Sequence, residues 1–175
     1  GVDYIGDLGE FEAEFARHAA IARTLGPYKL SLHSGSDKFS IYPLIARHAG
    51  ALMHLKTAGT SYLEALRAIA SVAPGLFRQI LIFARLRYNE DKATYHVSAD
   101  PGKVPLPETL PDSELASVLD LFDGRQVLHV TFGSVLDRFG KRLKAVLAEH
   151  EEAHYAALEA HFRKHLEPFK AANRQ

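Results

Sequence analysis

Three short segments place side chains able to do chemistry at the ends of apolar runs. The first is Ser31-Leu32-His33-Ser34-Gly35-Ser36-Asp37-Lys38-Phe39. His33 closes an alternating stretch on its polar face. The small residues after it let backbone amides approach an anion at a helix start, and Asp37 and Lys38 add an acid and a cation. The second, His54-Leu55-Lys56-Thr57-Ala58-Gly59-Thr60-Ser61, repeats the arrangement. There Lys56 is placed to neutralise a carboxylate or an enolate oxygen. The third is His129-Val130-Thr131. Taken singly, each has a plain structural reading: a capped turn with a surface ion pair, a snorkelling lysine beside a cap, a hydrogen-bonded histidine. Several imidazoles at strand ends change that balance, because they can converge on one metal ion.

A fourth segment, His150-Glu151-Glu152-Ala153-His154, satisfies the zincin pattern H-E-x-x-H. The extended motif is not met, since positions 157 and 160 are both alanine. A solvated helix face explains it better. His18, His48, His161 and His165 fall on helical stretches in polar settings and receive no role. No Walker loop, dinucleotide fingerprint or nucleophile elbow is present.

The elements that must position these residues alternate. Asp7 and Glu10 read as a capping-box-like start to a helix carrying Leu8, Phe11, Phe15, Ala19 and Ala22, stopped by Gly26-Pro27. Tyr28–His33 reads as a strand, 39–48 as a helix ended by Gly50, and Ala51–Lys56 as a second strand. Ser61 and Glu64 suggest a cap for the next helix, and Pro74-Gly75 separates it from a helix over Leu76–Tyr88. Ala93–Ala99 is a third candidate strand. A proline-rich loop spans 99–112, and Ser113–Phe122 reads as a helix closed by Gly124. Gln126–Thr131 is a fourth candidate strand. A helical segment with room for one break follows over 135–167, with Pro168 as its stop. Strands alternating with helices predict an α/β fold of parallel units, here a single unit over 1–175. Each strand shows one apolar and one polar face, as in a TIM-type (β/α)8 barrel whose strand ends meet at the mouth. Four strands amount to about half of one, which typically takes about 250 residues.

The 175 residues balance 21 basic against 21 acidic side chains and contain no cysteine. That excludes disulfide scaffolds, Cys-ligated zinc and thiol nucleophiles. It also gives no electrostatic footprint for nucleic acid or an anionic membrane. The longest charge-free runs, such as Ala68–Phe77, are too short to span a bilayer. With no signal peptide visible, a cytoplasmic location is expected. The chain opens on Gly1, as a processed or cut piece would.

The stretch Leu30–Pro43 (LSLHSGSDKFSIYP), followed by His54–Ser61 (HLKTAGTS), resembles the tagaturonate epimerase family. The resemblance extends to Gly1–Asp7, to the surroundings of His129 and to His165–Phe169. The sequence after His129, Thr131-Phe132-Gly133-Ser134, departs from the family. The resemblance implies the C-terminal half of a metal-dependent isomerase that inverts C4 between tagaturonate and fructuronate. It implies a divalent metal (Zn, Mn, Co or Ni) with His33 and His129 as ligands. It further implies Asp37, Lys38 and Lys56 as catalytic groups, and substrate contacts from Ser34, Gly35, Ser36, Thr57, Gly59 and Thr60. Asp3 and Asp7 are second-rank candidates. The expected partners are a sugar-acid substrate and an N-terminal half or a second copy, since open sheet edges favour association. Two alternatives stand beside this: another barrel sugar isomerase or aldolase, and a non-catalytic half-barrel that binds a partner chain.

Overall fold

A computed structural model describes residues 4–34, 37–50, 52–57 and 60–170. The chain divides into two compact units, Val2–Ala58 with Ala160–Gln175, and Gly59–Glu159.

The first unit is a strand–helix–strand motif flanked by helices. Helix α1 (Leu8–Leu25) starts where expected: Asp7 Oδ1 accepts from the Glu10 amide at 2.8 Å, satisfying one of the donors a helix start leaves open. It stops before Gly26-Pro27. Strand β1 (Leu30–Ser34) leads through a 3-10 turn (Phe39–Ile41) into α2 (Tyr42–Ala49) and then β2 (Met53–Thr57). Gly50 ends α2 with φ 52°, a conformation in which only glycine avoids a Cβ penalty. The strands pair in parallel, with Leu30 opposite Met53, Leu32 opposite Leu55, and His33 opposite Lys56. Alternation sends Leu32, Met53 and Leu55 onto a core built on Ile41, Tyr42 and Ile45, with Phe11, Phe15 and Phe169 also packed against it. The polar face keeps Ser31, His33, His54 and Lys56 exposed.

The second unit holds helices and 3-10 turns joined by irregular chain, with no strand among its described residues. Helices α3 (Thr60–Val72) and α4 (Pro74–Asp91) are separated at Pro74, which takes the first position of α4, where its missing N–H costs nothing. Three helices follow: α5 (Phe122–Val130), α6 (Phe132–Glu149) and α7 (Glu151–Lys170). The stretch of α7 from Ala160 onward belongs to the first unit. Three arginines strap the proline-rich region and the turn after it to α3 and α4. Arg67 reaches the carbonyls of Ala116 and Leu119 and the Asp120 carboxylate. Arg78 binds the carbonyls of Pro107 and Leu110 and the Asp112 carboxylate, and Arg85 the carbonyl of Val104.

Several expected elements are corrected. Ala93–Ala99 is not a strand: a 3-10 turn over Lys92–Thr94 runs into irregular chain. Its alternation is real, but no neighbouring strand is present among the described residues to pair with it. Gln126–Thr131 is not a strand either; it is the body of α5. Its β-branched residues mimic a strand, yet Gln126, Val127, Leu128 and Val130 are all buried, and a short run covered on every side has no period to read. Gly124 does not close a helix. It sits inside α5, where a Cβ would lie 2.2 Å from the Val118 carbonyl oxygen, so close approach is its purpose. Residues Asp112–Asp120 form a 3-10 run in place of the expected α-helix. Pro168 lies inside the last turn of α7 without stopping it, and the break allowed for in the terminal helical segment falls at His150. The described residues therefore hold one parallel two-stranded sheet in a mostly helical chain.

Candidate functional site

The ends of β1 and β2 bring two of the expected residues together. The parallel register sets the exposed His33 beside the exposed Lys56 on neighbouring strands, which lie about 4.8 Å apart in a sheet. One step back along the strands, Ser31 Oγ and His54 Nδ1 meet at 3.0 Å. Lys38 folds back so that Nζ donates to the His33 carbonyl at 3.4 Å. An imidazole and two ammonium groups thus share one end of the sheet. Such a row can hold an anionic oxygen and exchange a proton beside it.

Asp37 does not join that row. Its carboxylate is buried, 2% exposed, as are His161 and His165 at 3% each. Oδ1 of Asp37 lies 3.4 Å from His161 Nε2 and 3.3 Å from His165 Nε2. The spacing of four along α7 puts both imidazoles on one helix face. His165 Nδ1 lies 2.9 Å from the His161 carbonyl oxygen. The rings of Phe39 and Tyr42 pack on His165 at 4.9 and 5.6 Å between centroids, Phe39 edge-on. One ligand atom from each of the three residues falls within 4.8 Å of the others, so the cluster could hold a metal ion.

Phe39 also lines an open groove of about 940 Å³ in the same unit, whose rim carries Arg23, Arg47, Lys164 and Glu167. Arg23 donates to the His48 carbonyl. Arg47 and His48 both bind the Glu12 carboxylate, His48 at 2.9 Å. The His48 hydrogen bond is the largest influence holding the Glu12 carboxyl below its ordinary range; burial opposes it and Arg47 reinforces it.

The remaining expected residues fall elsewhere. His129 sits half-buried in the last turn of α5, in the other compact unit, so the strand end that was to aim it is absent. Asp7 is engaged in capping α1. Asp3, Gly35, Ser36 and Gly59, and the side chains of Ser34, Thr57 and Thr60, lie outside the described residues. His150 stands at the break between α6 and α7, so His150 and His154 do not share one continuous helix. Sequence reasoning missed His161 and His165. A signal was available: an H-x-x-x-H spacing of the kind that binds metals, inside a segment with aromatic residues at 162 and 169.

A parallel strand–helix–strand unit is the building block of α/β folds, in which strand ends are the usual place for a site. Comparison with known proteins narrows the class. The family model of UxaE, tagaturonate epimerase, matches residues 1–169. A tagaturonate/fructuronate epimerase of Thermotoga maritima is 47% identical over 169 residues, covering 95% of this chain and 35% of the relative. The native crystal structure of fructuronate-tagaturonate epimerase UxaE from Cohnella laeviribosi superposes with a TM-score of 0.90 at 42% identity, over 96% of this chain and 36% of that one. A complex of the same enzyme with two glycerols gives 0.90 at 41% identity. The chain belongs to the tagaturonate epimerase family. It spans about a third of the length of the relatives it matches. No helix among the described residues is long and apolar enough to cross a membrane.

Proposed function

We propose that this chain supplies part of the sugar-acid site of a tagaturonate/fructuronate epimerase, and that β1 and β2 are two strands of a TIM-type barrel whose polar ends face the substrate. The observation that carries the reading is the His33–Lys56 pair at the strand ends, within a chain 47% identical to such an epimerase over 95% of its length.

C4 of a 2-ketose acid lies β to the ketone, so its proton is not acidified by simple enolisation. Inversion proceeds either through cleavage and re-formation of C3–C4 or through removal and return of hydrogen at C4. Both routes build negative charge on substrate oxygens. Lys56 is placed to hold that charge, or the substrate carboxylate, once substrate covers the strand ends and displaces water from them. Lys38, bound back onto the His33 carbonyl, supports the turn and adds a second cation. His33 presents an imidazole able to hold or move a proton beside Lys56.

A divalent ion is implied by the family. Bound beside the sugar oxygens, it would polarise them as a Lewis acid. At the strand ends this chain offers His33 as one ligand, and further ligands would come from the remaining length of the relatives. The three-ligand set Asp37, His161 and His165 suits such an ion chemically, but its burial keeps substrate away. Asp37 therefore anchors the loop after β1 and does not touch the sugar.

The test uses the gene product that contains this chain, incubated with tagaturonate and divalent metal and followed by NMR for the C4 epimer. Lys56→Met is expected to lower turnover by roughly 10²–10³-fold, the loss seen when a single charge-stabilising group is removed. Wild-type turnover in both Lys56→Met and His33→Ala would refute the assignment of the strand ends.

A further inference from the structure

We propose that Asp37, His161 and His165 form a closed, structural site for a first-row divalent transition ion of the zinc type, separate from the strand-end row and locking the end of α7 onto the segment after β1. This stands whether or not the strand-end row binds a sugar acid.

The distances carry it first. Both Nε2 atoms face the same carboxylate oxygen, at 3.4 and 3.3 Å. A direct charged hydrogen bond settles at about 2.7–2.9 Å. Two ligands of one tetrahedral ion, bonded at about 2.0–2.2 Å, stand roughly 3.3–3.5 Å apart. The observed separations are those of co-ligands.

The tautomer carries it second. A carbonyl oxygen only accepts, so the 2.9 Å contact with the His161 carbonyl puts the hydrogen of His165 on Nδ1. In the neutral ring, Nε2 is then the atom able to serve as a ligand. A backbone bond that fixes the second nitrogen is also the usual support for a metal-bound histidine.

Burial and donor type decide the class. All three residues are at most 3% exposed, and additional protein packed around this unit can only cover them further. Three protein ligands leave a fourth, tetrahedral position for a water, and burial closes that position to substrate, so the ion would be structural and not catalytic. Two imidazoles and a carboxylate favour zinc, cobalt, nickel or manganese over magnesium or calcium. The ligands come from opposite ends of the chain, so binding would cross-link the first unit's loop to its terminal helix. Phe39 lines the groove and packs edge-on against His165.

The test is metal stoichiometry and stability, not turnover. The protein is stripped with a chelator, dialysed and titrated with Zn²⁺, with Co²⁺ as a spectroscopic probe and Mg²⁺ as a control. One Zn²⁺ equivalent, distinct from any ion held at the strand ends, is expected to bind tightly in wild type, to persist in His33→Ala, to raise the melting temperature, and to weaken at least 10³-fold in His161→Gln and His165→Gln. Cobalt should give the intense visible absorption of a tetrahedral site, and magnesium should do nothing. Should the Gln variants fail to fold, the wild-type cobalt spectrum and Asp37→Asn, which keeps the side-chain shape, decide the matter. A melting temperature unmoved by Zn²⁺ would overturn the proposal. So would a metal content that is the same in wild type, His161→Gln and His165→Gln.

Discussion

Two glycines inside helices of the second unit should respond to the same substitution with opposite signs. At Gly124 an added Cβ would lie 2.2 Å from the Val118 carbonyl oxygen, 2.9 Å from Val118 Cγ1 and 3.2 Å from the Val118 carbonyl carbon. Carbon–oxygen contacts settle at about 3.3–3.6 Å, so roughly 1 Å must open between two backbone segments. Neither can turn aside as a side-chain tip would. Overpacking of this kind costs about 1–3 kcal/mol, and the rigid partner places it at the upper end. The gain in helix propensity from Gly to Ala, at most about 1 kcal/mol, offsets part of it. Gly124→Ala should therefore destabilise by about 2 kcal/mol, a fall in melting temperature of roughly 4–8 °C for a chain of this size. Gly140 lies within α6 and is also buried, yet a Cβ there meets only Leu136 at 3.7 and 3.8 Å, ordinary contact distances. Gly140→Ala should collect the propensity gain of about 0.8–1.0 kcal/mol and raise the melting temperature by roughly 2–4 °C. Thermal and urea unfolding followed by far-UV circular dichroism measure both. If Gly124→Ala proves as stabilising as Gly140→Ala, the close approach of α5 to the 3-10 run is not as described, and the account of Gly124 fails.

Acid unfolding should depend on Glu12. Its folded pKa is lowered, so the stability it contributes is present above its ordinary value of 4.5 and is lost as pH falls below it; Glu12→Gln should flatten the melting profile there. At the alkaline end, burial pushes the Tyr62 phenol well above its ordinary 10.0. Stability should hold below that pH and fall as pH rises past it, when the unfolded chain ionises and the folded one does not. Melts between about pH 9 and 11 should show the fall in wild type and its reduction in Tyr62→Phe. Arg78→Met removes the bonds to the Leu110 carbonyl at 2.8 Å and to the Asp112 carboxylate at 2.5 Å. It should cost about 2 kcal/mol and speed protease cleavage within 101–112; an unchanged cleavage pattern in mass spectrometry would contradict the strap.

The first unit was readable because its signals are local. The Asp7 cap, the Gly26-Pro27 stop, the Gly50 ending and the alternation of β1 and β2 each act within a few residues. The His33–Lys56 neighbourhood followed from two copies of one pattern. The second unit misled at 93–99 and 126–131 because a period of two in a short stretch does not say whether a partner strand exists. Burial on all sides erases the pattern that separates a strand from a helix. Gly124 was misread for the same reason: a glycine that admits a neighbour looks in sequence like a glycine that ends a helix.

By itself the sequence determined the family, the parallel strand–helix–strand unit, and the polar strand face that carries His33 and Lys56. These rest on residue types at short fixed spacings, which the backbone converts directly into faces. Only the tertiary structure decided that Asp37 turns away from that face to meet His161 and His165. The three residues share no local pattern. They come together because the sheet's Leu32, Met53 and Leu55 and the α7 residue Phe169 pack on one core with Phe39, and the polar groups beside these rings are carried in with them.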